Sequence, residues 1–341
     1  YVNYSVSDLN GDDIYSFVDF DDSLVGWWRM DKNTSVGEND THVVDWSGNG
    51  NNGTVVDAVF NSSGRFGGAG EFDGDGDYVN MGSGSSLDDL NNSGMTVSLW
   101  MYPVADNNGN VIIAKNSLIS GEWVFEFELS NRIRFYKEFS TSVLDRESGS
   151  GAITLNQWQH VVLVWNGSNS YESVHMYVDA EEVGYSLNTS GVGTAISDAA
   201  HNLHLGYASW FGAGSSFNGT LDDVLVFNRS FSGEEVLSLY NATNTYHNFT
   251  NQEFGNHTFK AYAVDDEGAW NSTELRTVEY NVDAANITSV VDFNESGVVD
   301  GDVLMGDNVT INVTLESDVG VDSVWVKVWE GVVGVSSVVY E

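Results

Sequence analysis

The chain has 341 residues, enough for two or three domains with a sizeable core. It contains no Cys, so neither disulfides nor thiolate metal sites stabilise it. Its 50 acidic and 12 basic residues give a net charge of −38, which excludes nucleic acid and anionic membranes because phosphate binding needs clustered Lys and Arg. No apolar run approaches the ~18 residues of a membrane span. The acidity fits either a protein that works in high salt or an exterior protein loaded with divalent cations.

The predicted elements are strands almost throughout the chain. VVDWSGNGNNGTVV, 43–56, puts two valine pairs around turn-forming residues, which indicates short strands joined by a loop rich in side-chain oxygens. In WVFEFELS, 123–130, aromatic side chains alternate with Glu126 and Glu128, which we expect on a solvated strand face. VVLVW, 161–165, is apolar at every position, as expected of a central strand that is covered on both sides.

Only SFSGEEVLSLYNA, 230–242, predicts a helix. Ser232 is its expected N-cap, and acidic residues follow in the first turn. Many short strands separated by Gly, Asn, Ser and Asp turns predict a β-sandwich. The span from Leu24 to about Asn241 fits a jelly roll of two curved sheets.

Eight segments of that span occur in an order and spacing similar to the laminin-G-like, concanavalin A-type jelly-roll modules. The segments are LVGWWRMD (24–31), VVDWSGNGNNGTVV (43–56), GRFGGAGEFDGDGDYVNMG (64–82), MTVSLWMYP (95–103), WQHVVLVWNG (158–167), MYVDAEEV (176–183), LHLGYAS (203–209) and FNGTLDDVLVFNRSFSGEEVLSLY (217–240). The resemblance implies a jelly roll over residues 23–243 that binds carbohydrate through rim loops and exposed aromatic side chains. It also implies that His160 is a packed structural residue.

The sequence on either side resembles immunoglobulin-like modules. We predict one such domain, formed by residues 1–22 and 244–283 and interrupted by the jelly roll, because sandwich termini lie close together and surface loops accept insertions. The alternative is a string of separate domains with residues 1–22 as a linker. Residues 285–341 are expected to begin a second immunoglobulin-like domain. Because the chain begins at Tyr1 without a leader, we expect a segment of a longer chain.

Asn-x-Ser/Thr triplets without Pro at x occur 18 times, against about six expected from the Asn, Ser and Thr content. The excess predicts N-linked glycans and hence a secreted or surface-displayed protein. The alternative is a set of polar strand faces that happen to be rich in Asn and Thr. The acceptors are Asn3, Asn33, Asn39, Asn52, Asn61, Asn91, Asn166, Asn188, Asn218, Asn228, Asn241, Asn248, Asn256, Asn271, Asn286, Asn294, Asn308 and Asn312.

A structural calcium ion (Ca2+) is predicted because calcium binds carboxylate, amide and carbonyl oxygens that Gly-rich turns bring together. The 43–56 loop supplies Asp45 and Asn49. The resemblance implies that such an ion bridges an early loop and an Asp on a late strand, here Asp222 or Asp223. The alternative is that Asp45 is a turn or capping residue.

A second calcium loop is predicted at DFNESGVVDGD, 292–302. Asp292 and Asn294 occupy the first ligand positions of an Asp-x-Asn-x-Ser-Gly pattern, but the closing acid is displaced by one residue.

Catalysis has to be tested because concanavalin A-type jelly rolls include glycoside hydrolases. Laminarinase-type enzymes need the spacing Glu-x-Asp-x-x-Glu, and the nearest run, 71–76, has Gly where the acid should be. Glu126 and Glu128 lie two apart on one predicted face, and a solvated face is the expected role. The chain has no Gly-x-Ser-x-Gly elbow, no His-Glu-x-x-His and no phosphate loop before a helix. We therefore expect no enzymatic activity.

Ligand contact is predicted in GYASWFGAGSS, 206–216, where Trp210 and Phe211 stand in a Gly/Ser-rich loop. An exposed aromatic side chain there could stack on a sugar ring, and the alternative is an aromatic packed under its own turn.

Together these features predict an extracellular, glycosylated β protein of the kind found on archaeal cell surfaces. Its role would be adhesion or the architecture of a surface layer or filament. Its partners would be other copies of itself or neighbouring surface proteins, and carbohydrate. The alternative is the accessory carbohydrate-binding region of a secreted polysaccharide-degrading enzyme whose catalytic domain lies outside this segment. Further sandwich repeats with an anchor would favour the first function, and an added catalytic domain the second.

Overall fold

The computed structural model is all-β apart from short helices, which confirms the predicted fold class. It describes residues 2–3, 14–90, 94–106, 110–115, 121–207, 216–240, 246–247, 255–265, 268–280, 286–293 and 310–316. None of the helices formed by these residues has the length and apolar character that a membrane crossing requires. The chain divides into two compact units, Tyr1–Gln252 with His257–Val278, and Glu253–Asn256 with Glu279–Glu341.

The strands are short, and Gly, Asn and Asp turns separate most of them. Up to the middle of the chain they are β1 (Val2–Asn3), β2 (Ile14–Phe20), β3 (Leu24–Trp28), β4 (His42–Val43), β5 (Gly53–Val56), β6 (Val59–Asn61), β7 (Ala69–Asp73), β8 (Tyr78–Gly82), β9 (Met95–Pro103), β10 (Asn110–Lys115), β11 (Trp123–Glu128), β12 (Arg132–Glu138) and β13 (Val143–Ser148). The later strands are β14 (Gln159–Trp165), β15 (Val174–Val178), β16 (Glu181–Glu182), β17 (Tyr185–Thr189), β18 (Leu203–Leu205), β19 (Asn218–Phe227), β20 (Tyr246–His247), β21 (Gly255–Asp265), β22 (Trp270–Ser272), β23 (Arg276–Tyr280), β24 (Asn286–Phe293) and β25 (Thr310–Glu316). Helix α1 spans Gly233–Tyr240, and 3-10 turns span Thr34–Val36, Ser85–Leu87 and Tyr171–Ser173.

Two sheets form the sandwich. The nine-stranded sheet has the order β17-β13-β12-β11-β10-β18-β8-β5-β4. The eight-stranded sheet has the order β16-β15-β14-β9-β19-β7-β6, with β3 paired to β19. Side chains from both sheets, such as Phe125, Leu163 and Trp28, form the main core between them. Paired neighbours come from distant parts of the chain, as in a jelly roll.

Strand β14 is covered on both sides, as its uninterrupted apolar sequence predicts. Val161 and Leu163 point into the core between the two sheets. Val162 and Val164 point the other way, into a second core. The eight-stranded sheet is therefore the middle layer of three.

A small sheet supplies the third layer. Its central strand β21 pairs with β2 from Ile14 opposite Asp265 to Phe20 opposite Phe259. On its other side β21 pairs with β22 and β23. Residues 14–20, which precede the jelly roll in the sequence, thus form a paired strand and not a linker.

Aromatic side chains attach this small sheet to the middle layer. The ring of Phe17 on β2 lies 5.2 Å, edge to face, from that of Trp27 and 5.1 Å from that of Tyr262. All three are buried in the second core. The small sheet thus packs on the jelly roll, and the immunoglobulin-like domain of residues 1–22 and 244–283 stays a prediction.

Helix α1 belongs to the same layer and begins as predicted at Ser232. The backbone N–H of Glu235 donates to Oγ of Ser232 over 3.3 Å, and the N–H of Ser232 donates to Oε2 of Glu235 over 2.8 Å. This reciprocal arrangement is a capping box. Val236 and Leu239, one face of the helix, are buried in the second core.

The second unit contains an antiparallel pair of strands, β24 and β25, which begins where the second immunoglobulin-like domain is expected. Asn286 lies opposite Glu316, and Phe293 lies opposite Thr310. An immunoglobulin-like sandwich there stays a prediction.

Candidate functional site

The outward face of the nine-stranded sheet is the broad face of the sandwich over which no described strand or helix forms a further layer. Cross-strand partners share a face, so the pairing defines a row of outward side chains. That row is Asn80, His204, Ala114, Val124, Tyr136 and Asp145. We call this surface the outer face.

An ion network crosses the outer face. Nε and Nη2 of Arg134 donate to the two carboxylate oxygens of Asp145 over 2.8 and 2.6 Å. Nη1 of Arg134 donates to Oε1 of Glu126 over 3.0 Å and approaches Oε1 of Glu128 at 3.4 Å. The two-pronged pairing with Asp145 fixes the guanidinium plane.

Glu126 is not the solvated residue that the alternation predicts, because its side chain is only 1% exposed. Burial, together with the nearby Glu128 carboxylate, raises the pKa of Glu126 to about 8. Glu122, four residues earlier and 2% exposed, behaves alike: burial and the Glu138 carboxylate raise its pKa to about 7. Among the described residues, Oε2 of each of these two buried acids has no hydrogen-bond partner. Sequence alternation identified the face but not this burial.

Three aromatic rings lie on the same sheet, on the other side of β10 from the acids. The rings of Tyr78 and Tyr207 stack at a centroid distance of 5.3 Å, and His204 meets Tyr78 edge-on at 5.6 Å. All three side chains are half-buried. Sequence reasoning missed them, although the alternation in Leu203–Leu205 does place His204 outward. The predicted ligand residues Trp210 and Phe211 lie outside the described residues.

The 43–56 loop is organised by hydrogen bonds within the protein. Oδ1 of Asp45 accepts from the N–H groups of Trp27 and Ser47 over 3.1 and 2.9 Å, and Oδ2 accepts from the N–H of Asn51 over 2.9 Å. The side-chain amide of Asn49 donates to the carbonyl of Leu24 over 3.0 Å. This arrangement fits the alternative role of Asp45 as a turn residue, and it leaves few lone pairs for calcium.

Asp222 and Asp223 lie at a bulge of β19 and are fully buried. Oδ2 of Asp222 accepts from the N–H groups of Arg65 and Phe66 over 2.7 and 2.9 Å. Oδ1 of Asp223 accepts from the indole N–H of Trp27 over 2.9 Å. The remaining oxygens, Oδ1 of Asp222 and Oδ2 of Asp223, have no hydrogen-bond partner in the part of the chain that the structure describes.

The charges around this pair do not balance. Burial and the Asp223 carboxylate raise the pKa of Asp222 well above its ordinary value, and Asp31 adds to the repulsion. Arg29, which pairs with Asp31 at 2.6 Å, is the neighbouring cation. When ionised, three carboxylates and one guanidinium leave two negative charges, which one divalent cation would neutralise.

The fit to calcium therefore differs between the predicted ligands. The free oxygens of Asp222 and Asp223 fit a cation, whereas those of Asp45 are already used. Within the described part of the chain, no three His, Asp or Glu side chains form a group that could hold a metal. Backbone carbonyls and water would have to complete the shell of about six to eight oxygens. The side chains of Asp292 and Asn294 lie outside the described residues.

His160 is a packed core residue. Its Nε2 lies 2.8 Å from Oγ of Ser98, while its Nδ1 has no hydrogen-bond partner, so no described acid orients the ring as in a catalytic triad. Its ring lies 5.2 Å from that of Trp100 and 5.9 Å from that of Tyr240. Burial lowers the pKa of His160 to about 3, so the ring is neutral at physiological pH.

The glycan acceptors with described side chains all lie at or near the surface, and none is buried. They are Asn33, Asn39, Asn52, Asn61, Asn166, Asn188, Asn218, Asn228, Asn256 and Asn271. In some of them Oδ1 accepts from the backbone N–H of the Ser or Thr two residues later, a turn that favours this triplet for local reasons. They are Asn33, Asn39, Asn61 and Asn166. The other acceptor side chains lie outside the description.

Residues 73–237 match the model of a laminin-G family described as the concanavalin A-like lectin/glucanases superfamily. The matched stretch is just under half of the chain and lies inside the predicted jelly roll. The concanavalin A-like fold inferred from the sequence is thus confirmed. Among curated proteins, none matches the chain.

Several solved structures are similar to this chain at low sequence identity. The binding domain of Paraclostridial Mosquitocidal Protein 1 is similar with a TM-score of 0.51 and 14% identity, over 65% of this chain and 52% of that one. Domain 4 of AbnA, an extracellular GH43 arabinanase from Geobacillus stearothermophilus solved with arabinotriose, has a TM-score of 0.43 and 17% identity, over 64% of this chain and 98% of that one. Trypanosoma rangeli sialidase solved with sialic acid has a TM-score of 0.45 and 15% identity, over 64% of this chain and 32% of that one. The chain thus spans about half of the toxin domain and a third of the sialidase.

Proposed function

We propose that this chain is the carbohydrate-binding segment of an extracellular structural or adhesive surface protein. The observation that carries the proposal is the asymmetry of the sandwich. The small sheet and α1 cover one broad side of the jelly roll, whereas the outer face presents half-buried aromatic and charged side chains. Rings beside hydrogen-bonding groups are the usual means of binding sugars, whose C–H faces stack on aromatics.

The location outside the cell is supported by the acceptor triplets. Every acceptor with a described side chain can be reached from solvent, as a bulky glycan requires. The low content of Lys and Arg argues against intracellular nucleic-acid partners. Mass spectrometry of the protein from its native source would test this part, and acceptors without glycans would contradict it.

The proposal includes no catalysis. Glu126 and Glu128 both approach the same Arg134 nitrogen, at 3.0 and 3.4 Å, so the two carboxyl groups share one cation. Glycosidases hold their two carboxyl groups at least about 5 Å apart so that the glycosidic bond fits between them. Hydrolysis of a β-glucan that disappears in Glu126→Gln would contradict this part of the proposal.

A structural calcium ion held by Asp222 and Asp223 is a separate part of the proposal. It is supported by their unpartnered oxygens and by the charge balance with Asp31 and Arg29. When bound, the ion would neutralise buried charge and join β19 to the loop that precedes β7. The ion would have no contact with the outer face.

Binding to an immobilised glycan array tests the central proposal. We expect a subset of glycans to bind, and we expect Tyr78→Ala and Tyr207→Ala to reduce their binding at least tenfold. Tyr102→Ala is the matched control, since Tyr102 is also a half-buried ring but lies on β9 of the eight-stranded sheet. Equal losses in all three variants, or an array without any bound glycan, would contradict the proposal.

A further inference from the structure

We infer that the outer face binds a glycan that carries free amino groups. The inference rests on the proposed carbohydrate-binding function of that face and adds the chemical class of the ligand. The supporting observations are two pairs of carboxylic acids on or next to β11 and β12, and the unpartnered carboxyl oxygen that each pair contains.

The first pair is Glu122 and Glu138, which lie opposite each other. The backbone N–H of Glu138 donates to the carbonyl of Glu122 over 3.0 Å, so their side chains leave the sheet side by side. The second pair is Glu126 and Glu128, two residues apart on β11 and thus on one face. Glu122 and Glu126 are separated by four residues, which is roughly 13 Å along a strand.

Each pair contains one acid that is almost wholly buried and has one carboxyl oxygen without a hydrogen-bond donor among the described residues. Glu122 is 2% exposed and Glu126 is 1% exposed, and Oε2 of both has no partner. An unsatisfied buried acceptor is costly, so a protein retains one where a ligand supplies the donor. Burial next to a second carboxylate also raises the pKa of both acids, which a bound cation would reverse.

The basic side chains of these strands are already engaged. Arg134 pairs with Asp145 and Glu126, and Arg132 pairs with Glu147. Within the described residues of β11, β12 and β13, both outward cations therefore have carboxylate partners. A sugar carboxylate or sulfate would find no unpaired cation and would face a surplus of negative charge. An ammonium group, in contrast, can donate three hydrogen bonds to the carboxyl oxygens.

Between the two acid pairs lies an aromatic ring that a sugar could contact. Tyr136 is opposite Val124, which is 2% exposed and packs with Val111 and Ala114, so the tyrosine is the member of this pair that offers a surface. The half-buried ring of Tyr136 offers an apolar contact beside the acids. A chain of amino sugars could thus place amines at both pairs and a ring over the middle.

The test compares two oligosaccharides of equal length, one of glucosamine and one of N-acetylglucosamine, which differ in the charge of the amino group. Isothermal titration calorimetry of the whole chain is expected to show at least tenfold tighter binding of the glucosamine oligomer. We expect the double variant Glu122→Gln and Glu126→Gln to abolish this preference. Glu181→Gln is the control, because Glu181 is an exposed acid on β16 of the other sheet and should leave the preference unchanged.

The outcomes separate this inference from the function on which it rests. Equal affinity for the two oligomers, or a preference that survives in the double variant, overturns the inference. If neither oligomer binds while neutral or acidic glycans bind in a Tyr78-dependent manner, the inference fails and the carbohydrate-binding function stands. If no glycan of any class binds, both fail. Near-ultraviolet circular dichroism of each variant checks that loss of binding is not loss of folding.

Discussion

The indole N–H of Trp27 donates a hydrogen bond of 2.9 Å to the buried carboxylate of Asp223. These residues stand on β3 and β19, which are adjacent strands from opposite ends of the jelly roll. We expect Trp27→Phe to lower the free energy of unfolding by roughly 3–5 kcal/mol, since it shrinks a core ring and leaves a buried acceptor unpaired. Chemical denaturation measures this. Trp123→Phe is the control, because Trp123 is also buried but its indole N–H has no hydrogen-bond partner among the described residues. Equal losses would show that the hydrogen bond contributes nothing.

Glu126→Gln should stabilise the protein in alkaline solution. The unfolded chain releases this proton above pH 4.5, whereas the folded protein retains it up to about pH 8. Between those values the free energy of unfolding of the natural protein therefore falls as pH rises, by up to about 1.4 kcal/mol per pH unit. Gln keeps the hydrogen bond from Arg134 and carries no proton to lose. Melting temperatures at pH 5 and pH 8 give the comparison.

Glu147→Gln is the control for that measurement. Glu147 lies half-buried on the same face and pairs with Arg132. We expect it to leave the pH dependence in place. If the natural protein and Glu126→Gln differ in melting temperature by the same amount at pH 5 and at pH 8, folding does not raise the pKa of Glu126.

His160 should make the protein sensitive to acid. Burial lowers the pKa of His160 from 6.5 to about 3. Between these two pH values His160 is protonated in the unfolded state and neutral in the folded state. Its contribution to the free energy of unfolding is therefore complete above pH 6.5 and is lost as pH falls, by about 1.4 kcal/mol per pH unit. His160→Gln can keep a hydrogen bond to Ser98 and should flatten this part of the acid-denaturation profile. An unchanged slope in the variant would assign the sensitivity to other groups.

Arg29 should help to attach the small sheet to the jelly roll. Its buried guanidinium pairs with Asp31 at 2.6 Å and donates to the carbonyl of Gly268, in the turn between β21 and β22. We expect Arg29→Met to cost roughly 3–5 kcal/mol, because it leaves the Asp31 carboxylate without its cation. Adding Asp31→Asn should recover part of that loss. Amide hydrogen exchange at residues 268–272 should be faster in Arg29→Met than in the natural protein. Unchanged exchange would argue against a role of Arg29 in attaching the small sheet.

Calcium removal should lower the melting temperature of the natural protein if Asp222 and Asp223 hold the ion as proposed. Calorimetry with and without a chelator measures the shift, and Asp223→Asn should abolish it. Asp45→Asn should leave the chelator shift intact, because the Asp45 oxygens serve backbone N–H groups. An identical melting temperature with and without chelator would remove calcium from this fold.

Local patterns predicted much of the architecture. The apolar run at Val161–Trp165 identified a strand covered on both sides, and Ser232 identified the start of the helix. Both signals lie within a few residues, where periodicity and capping act. The jelly roll itself was identified by resemblance, because its strand neighbours are distant in sequence and periodicity does not reveal them.

The candidate site was less predictable for the same reason. Glu126 is buried and pairs with Arg134 on the neighbouring strand, and alternation on β11 alone gives no sign of either. Tyr78 and Tyr207 meet although 129 positions separate them along the chain (207 − 78). Asp45 has the composition of a calcium ligand, and only the positions of Trp27 and Asn51 show that its oxygens are taken.

The pairing of β2 with β21 determines how the molecule would respond to tension along its backbone. The two strands run antiparallel, with Ile14 opposite Asp265 at one end of the ladder and Phe20 opposite Phe259 at the other. The jelly roll lies between these two strands in sequence, and after β21 the chain continues through β22 and β23, which also pair with β21. Tension applied to the chain before β2 and after β23 would therefore have to separate the strands of the small sheet before it stretched the chain of the jelly roll. The outer face would therefore keep its shape while the small sheet came apart.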